Sequence, residues 1–135
     1  MQTQFDVAIV GAGVIGCAIA RVLSQYQCST VVLEKEGDVA FGTSGKNSGV
    51  VHAGFNNTPG SLMAKLCVEG NLGFEVLCKE LDVPYKKTGK MVIALDDGDV
   101  KSLEKLMQNG ERNGTPGLML IDTERMRKLE PHRCV

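Results

Sequence analysis

Between Phe5 and Lys35 the chain reads FDVAIVGAGVIGCAIARVLSQYQCSTVVLEK, an order that leaves few folds open. The apolar run ending at Val10 holds no turn residue, as expected of a strand buried on both faces of a parallel sheet. Gly11, Gly13 and Gly16 follow at G-x-G-x-x-G spacing. A helix-length apolar segment then runs through Cys17, Ala18, Ile19, Ala20, Val22 and Leu23. A second strand, Thr30 to Leu33, ends on Glu34, 18 residues beyond Gly16. The whole is a β-α-β unit for a dinucleotide.

Each glycine has its own physical task. Gly11 permits the tight turn off the strand, Gly13 lets a pyrophosphate approach the backbone, and Gly16 lets the helix pack closely on the strand. Val14 and Ile15 complete the loop at the helix start, where N–H groups and the positive end of the helix dipole meet phosphate. Glu34 can accept hydrogen bonds from the adenosine ribose hydroxyls, whereas a 2′-phosphate would be repelled. FAD or NAD is therefore favoured over NADP.

Composition narrows the field further. The 135 residues suffice for a domain with a real core, and 43% hydrophobic with 23% charged residues is ordinary globular usage. A net charge of −1, no basic block, and only two Tyr, four Phe and no Trp speak against nucleic acid. Residues 7–23 are apolar, but three glycines at motif spacing and a marginal length disfavour a transmembrane segment. MQTQFD lacks the positive region of a secretory signal. Five scattered cysteines, Cys17, Cys28, Cys67, Cys78 and Cys134, never form C-x-x-C. They read as free thiols in a cytoplasmic, reducing setting, with peripheral membrane or organellar association left open.

The stretch Phe41–Gly54, FGTSGKNSGVVHAG, is rich in small, hydroxylated and glycine residues that a generic dinucleotide dehydrogenase does not need there. Such a loop can offer backbone N–H groups to a second set of phosphate oxygens. GAGVIG, VVLEKE, GTSGKNSGVVHAGF and PGSLMAKLCVEGN together resemble the N-terminal part of flavoproteins of the D-amino-acid oxidase-like superfamily. The branch most resembled contains FAD-dependent glycerol-3-phosphate dehydrogenases and L-2-hydroxyglutarate oxidases. The likeness covers most of residues 5–131, and TSGKNSG-VVHAG is its most discriminating part.

The resemblance implies an α/β, FAD-binding Rossmann-like fold with the beginning of an α+β substrate domain. Residues 1–82 would form the FAD-binding portion and 83–135 the start of the substrate side. By the same likeness Gly11, Gly13 and Gly16 hold the FAD pyrophosphate, Glu34 the ribose, and Lys35 lines the adenosine side. Thr43, Ser44, Lys46, Asn47 and Ser48 contact phosphates and the ribityl chain, while Val50 and His52 approach the isoalloxazine. Relatives commonly carry Arg at the position of Lys46, and lysine keeps the charge but loses the bidentate fork. His52 has three readings: a base or hydrogen-bonding group beside the flavin, a covalent attachment point as in some related flavoproteins, or a structural histidine supporting the loop. The other histidine, His132, sits in a charged tail and reads as solvent-facing.

Downstream, Pro59-Gly60-Ser61 reads as a turn and helix start with Ser61 as N-cap. Met63, Leu66, Cys67, Gly70, Phe74, Leu77, Cys78 and Leu81 mark the expected core stripe of that helix. Asp82-Val83-Pro84 breaks it, and Tyr85–Leu95 reads as one or two strands. Asp96-Asp97-Gly98-Asp99 caps a second amphipathic helix carrying Val100, Leu103, Leu106, Met107 and Gly110. It lacks the twelfth-position Glu of a calcium loop. The helix stops in Asn113-Gly114-Thr115-Pro116-Gly117, Leu118–Ile121 reads as a short strand, and 122–131 as a capped short helix ended by proline.

Only two strands of a doubly wound sheet are visible, so the sequence reads as a fragment, with exposed sheet edges suited to self-association and little turnover by itself. The expected function is the FAD-binding part of an oxidoreductase acting on a small hydroxy acid or glycerol 3-phosphate, with an electron acceptor that the sequence does not name. The alternatives are a non-catalytic dinucleotide-binding fragment or interaction protein and, with less support, an NAD-dependent dehydrogenase.

Overall fold

The computed structural model describes residues 4–131, so the readings of His132 and Cys134 lie outside it. Packing of the chain separates two compact units, Met1–Val50 and Val51–Val135.

In the first unit, β1 (Val7–Val10), α1 (Val14–Leu23) and β2 (Thr30–Leu33) form the expected β-α-β unit. The strands pair in parallel, from Val7 opposite Thr30 to Val10 opposite Leu33. Asp6 fixes the start of that register: its Oδ2 accepts from both the backbone N and the hydroxyl of Ser29, each at 2.7 Å. These bonds, the hydroxyl's foremost, hold the Asp6 carboxyl below its ordinary value. The sheet departs from the sequence reading in one respect. Ile9 is buried but Val10 is 86% exposed, because within this unit α1 is the one α-helix that packs on these strands. One face is therefore covered, not two.

The second unit is built on α2 (Leu62–Glu80), α3 (Asp97–Asn113) and α4 (Thr123–Leu129). Their starts are those the sequence indicates, for the reason it indicates. The side chains of Ser61, Asp96 and Asp122 accept from the backbone N–H of Ala64, Asp99 and Arg125, satisfying donors that a helix start leaves without partners. Asp99 Oδ2 in turn accepts from the N–H of Leu95, the residue before the cap, at 3.0 Å. Replacing Ser61 with alanine should cost about 1 kcal/mol of stability. A urea midpoint lowered without a change in slope would show it; an unchanged midpoint would deny the cap any weight.

Two expectations fail here. The core stripe of α2 is shifted from the one anticipated: Cys78 is buried as expected, but Ala64 and Val68 are buried where Met63 and Leu66 were expected, and Leu77 and Leu81 are exposed. The reason is a close backbone approach. A Cβ on Gly54 would stand 2.7 Å from Val68 Cγ2 and 3.4 Å from Ala64 O, so the contact selects the side with small residues. The segments 85–95 and 118–121 form no ladder among the described residues. Thr88–Val92 and Gly117–Ile121 instead line an apolar cavity of about 440 Å³ with Leu103, Leu106 and Met107 of α3. Their side chains have found a surface, while their backbones have no strand partner.

Candidate functional site

The site forms in the first unit where β1 gives way to α1. Gly11 adopts φ +99°, a left-handed conformation that favours glycine, and donates its N–H to Leu33 O at 2.7 Å. The chain thus turns sharply while staying tied to the end of β2. Gly13 is the N-cap of α1 but has no side chain to cap with. Ser44 supplies the missing group, its Oγ accepting from Val14 N at 2.9 Å. A Cβ on Gly13 would lie 3.0 Å from that same oxygen. Gly16 is buried, and a Cβ there would overlap the Gly11 carbonyl oxygen. The helix can start this close to the strand only without it.

Glu34 turns out to brace the loop as well as end the strand. Its Oε2 accepts from Ala12 N at 2.6 Å, and its Oε1 from Lys35 N at 2.9 Å and Glu36 N at 3.1 Å. These donors, Ala12 first and Glu36 next, hold the carboxyl below its ordinary value, against a smaller upward push from burial. A carboxylate has about four acceptor positions, so capacity for one further donor remains. Lys35 is exposed and pairs with Glu36 at 3.5 Å.

The hydroxyl-rich loop begins as a short 3-10 turn, Thr43–Gly45. Asn47 stitches it together: Nδ2 donates to Ser44 O at 2.7 Å, and Oδ1 accepts from Gly49 N at 2.8 Å. A groove of about 490 Å³ is lined by Gly11, Gly13, Val14, Ile15 and Gly16 from the glycine loop and by Thr43, Ser44 and Asn47 from the second loop. Two segments 30 residues apart therefore share one concave surface, joined by the Ser44–Val14 bond. Lys46, Ser48 and Val50 are exposed outside its lining.

His52 belongs to the second unit and is exposed. What the structure holds there is backbone. His52 O accepts from Asn71 Nδ2 at 3.2 Å, and Ala53 O from Thr115 Oγ1 at 3.1 Å. Asn113 Nδ2 bridges Gly54 O and Asn57 O, each at 2.9 Å. Sequence reasoning missed Asn71, Asn113 and Thr115. The Asn-Gly-Thr after a helix was a visible signal of a turn, but not of what its side chains would reach.

The groove's chemistry suits a phosphate-bearing dinucleotide. Val14, Ile15 and Gly16 precede the first intrahelical bond of α1, from Cys17 N to Gly13 O. Their N–H groups lie at the positive end of the helix dipole. Glycine at 11 and 13 leaves the backbone accessible, and no acidic residue lines the groove.

Comparison with known proteins agrees. A family model described as DAO, FAD dependent oxidoreductase, matches residues 6–135. A glycerol 3-phosphate dehydrogenase of Caloramator mitchellensis is 48% identical over 129 residues, covering 96% of this chain and 27% of the relative. The mitochondrial L-2-hydroxyglutarate dehydrogenase of Caenorhabditis elegans is 46% identical over 132 residues, covering 96% and 30%. The solved structure of dithionite-reduced L-alpha-glycerophosphate oxidase from Mycoplasma pneumoniae, with FAD bound, superposes with a TM-score of 0.86 at 35% identity, over 97% of this chain and 35% of that one. The chain spans less than a third of the length of these curated relatives.

Proposed function

We propose, from the premise that this chain belongs to the FAD-dependent oxidoreductase family, that it is the FAD-binding part of an enzyme oxidising a small hydroxy acid or glycerol 3-phosphate. The observation that carries this is the groove shared by the glycine loop and the Thr43–Asn47 loop, joined through Ser44. Neither segment alone would distinguish a dinucleotide site from a glycine turn.

The residues divide the work by chemistry. Gly11, Gly13 and Gly16 admit the pyrophosphate to the start of α1, where Ile15 offers a backbone N–H and Val14, whose own N–H is taken by Ser44 Oγ, holds that hydroxyl in place. Thr43 and Ser44 add hydroxyls, and Ser44 can donate its own proton to a phosphate oxygen while accepting from Val14. Glu34 orients the adenosine ribose with its remaining acceptor capacity and excludes a 2′-phosphate by charge. Lys35 borders the adenosine side, and Lys46 offers a point charge to phosphate. Asn47 and Ser48 set the shape of the ribityl-side loop, and Val50 gives the ring an apolar neighbour. FAD supplies the two-electron acceptor. His52 is our choice for the group that takes the substrate hydroxyl proton, imidazole being the side chain most often used as a general base.

The similar proteins are named for glycerol 3-phosphate and for L-2-hydroxyglutarate, and both substrates are anionic with a secondary hydroxyl to oxidise. That shared chemistry defines the substrate class. Residues 83–135 would begin the substrate-facing part. No helix among the described residues is long and apolar enough to cross a membrane. Cys17, Cys28, Cys67 and Cys78 are free thiols, which fits a reducing compartment such as the cytoplasm.

Purification of the full gene product tests this directly. It should be yellow, with the visible bands of oxidised flavin, and should bleach anaerobically on adding one of the two substrates. A colourless protein that takes up no FAD on reconstitution would sink the reading.

A further inference from the structure

We infer that Asn71, Asn113 and Thr115 form a clamp on the backbone that positions His52 for the reaction, an assignment that rests on the role proposed for His52 above. Three consecutive carbonyls, of His52, Ala53 and Gly54, each accept from a side chain distant in sequence: Asn71 at 3.2 Å, Thr115 at 3.1 Å and Asn113 at 2.9 Å. The donors are 19, 62 and 59 residues away. Loop carbonyls usually turn to water or to neighbouring backbone. Here a run of three is taken up by groups from α2 and from the end of α3.

The end of α3 is shaped for this. Gly114 adopts φ +75° and donates to Glu111 O, while Thr115 N donates to Gly110 O at 2.9 Å. These two bonds make a Schellman termination, which fixes the residues on either side of the glycine. Asn113 and Thr115 are those residues. Thr115 is only 8% exposed, the one buried polar residue among those described. Asn113 also closes the turn beneath, where Asn57 N donates to Gly54 O at 3.2 Å. Gly110 lets the segment lie close, since a Cβ there would stand 2.9 Å from Phe55 Cβ.

The consequence falls on His52. Fixing the peptide units on both sides of Ala53 holds the backbone torsions from His52 to Gly54, and so the direction in which the His52 side chain leaves the chain. Only its side-chain torsions remain free. An acid–base group must sit within hydrogen-bond reach of its proton, and small displacements are expensive in rate. Asn71, Asn113 and Thr115 are positioning residues in this sense, since each acts through the backbone of the histidine segment.

A purely structural clamp and one that serves His52 differ in a double-mutant cycle on the FAD-loaded full gene product. T115V removes the hydroxyl at nearly constant shape. It should slow flavin reduction by substrate roughly tenfold with His52 present, and by less than about twofold in an H52A background. T115S, which keeps the donor, should recover most of the rate. Equal losses in the two backgrounds, or no loss at all, would overturn the assignment. N71A carries the same pair of expectations should T115V not fold. If the wild-type protein binds no flavin, it is the proposed function that fails, and amide hydrogen exchange then judges the clamp. Faster exchange over 53–57 in T115V, with α2 and α3 unchanged, upholds it, and unchanged exchange refutes it.

Discussion

Replacing Gly16 with valine should give a colourless protein. The position is buried inside the first turn of α1, and a Cβ there would overlap the carbonyl oxygen of Gly11. The two nearest obstructing atoms are backbone, Gly11 O and Gly11 C, the latter at 3.1 Å, with the branched Ile9 side chain behind them at 3.3 Å, so nothing can simply swing aside. Relief requires α1 to move away from β1. That movement would pull Val14 from Ser44 and open the loop whose turn Gly11 makes. Overpacking of this kind costs about 3 kcal/mol or more when the backbone must shift, equivalent to roughly a hundredfold in affinity if the loss falls on the bound state. Equilibrium titration with FAD, alongside a thermal melt without it, separates the two places the loss can appear. Wild-type FAD affinity in G16V would show that close helix–strand packing is not what the site requires.

Much of this was legible because it is local. A glycine at φ +99°, a serine or aspartate before a helix, and an acid closing the second strand are each decided within a few residues of chain. The β-α-β unit, the caps of α2, α3 and α4, and the glycine termination of α3 therefore read directly from the sequence. What stayed hidden is side chain meeting distant backbone. The resemblance implies a phosphate contact for Ser44, but nothing local says that its oxygen takes the Val14 N–H 30 residues earlier. Glu34 could be assigned to ribose, but its bond to Ala12 needs the strand and the loop placed in space.

The α2 stripe failed for a related reason. Two apolar faces satisfy the same periodicity, and the choice between Met63–Leu66 and Ala64–Val68 belongs to Gly54, which lies outside the helix. Tyr85–Leu95 has strand composition, but composition cannot supply a neighbour to pair with.

Glu34→Gln should weaken FAD binding by about tenfold while leaving the fold in place, and it should also alter how the protein responds to acid. The amide keeps the shape of the side chain but not the charge. It has one accepting oxygen where Glu34 uses two, with Ala12 N on Oε2 and Lys35 N and Glu36 N on Oε1. Whichever way the amide turns, an N–H faces a donor, and either the glycine loop or the Lys35–Glu36 corner loses its partner. On the proposed reading, the ribose would lose a charged acceptor at the same time.

The acid response has a definite sign. The Glu34 carboxyl is held below its ordinary value by the Ala12 N–H foremost. A group depressed in the folded state contributes stability that is full above its unfolded pKa and is lost as pH falls through the folded one. Wild type should therefore lose unfolding midpoint across and below the ordinary carboxylate range, and E34Q should show a shallower decline over the same interval. Parallel curves would mean that the bond from Ala12 is not maintained in solution. In that case Glu34 would act on the ribose alone, and the coupling of glycine loop to strand end would have to come from Gly11 N and Leu33 O.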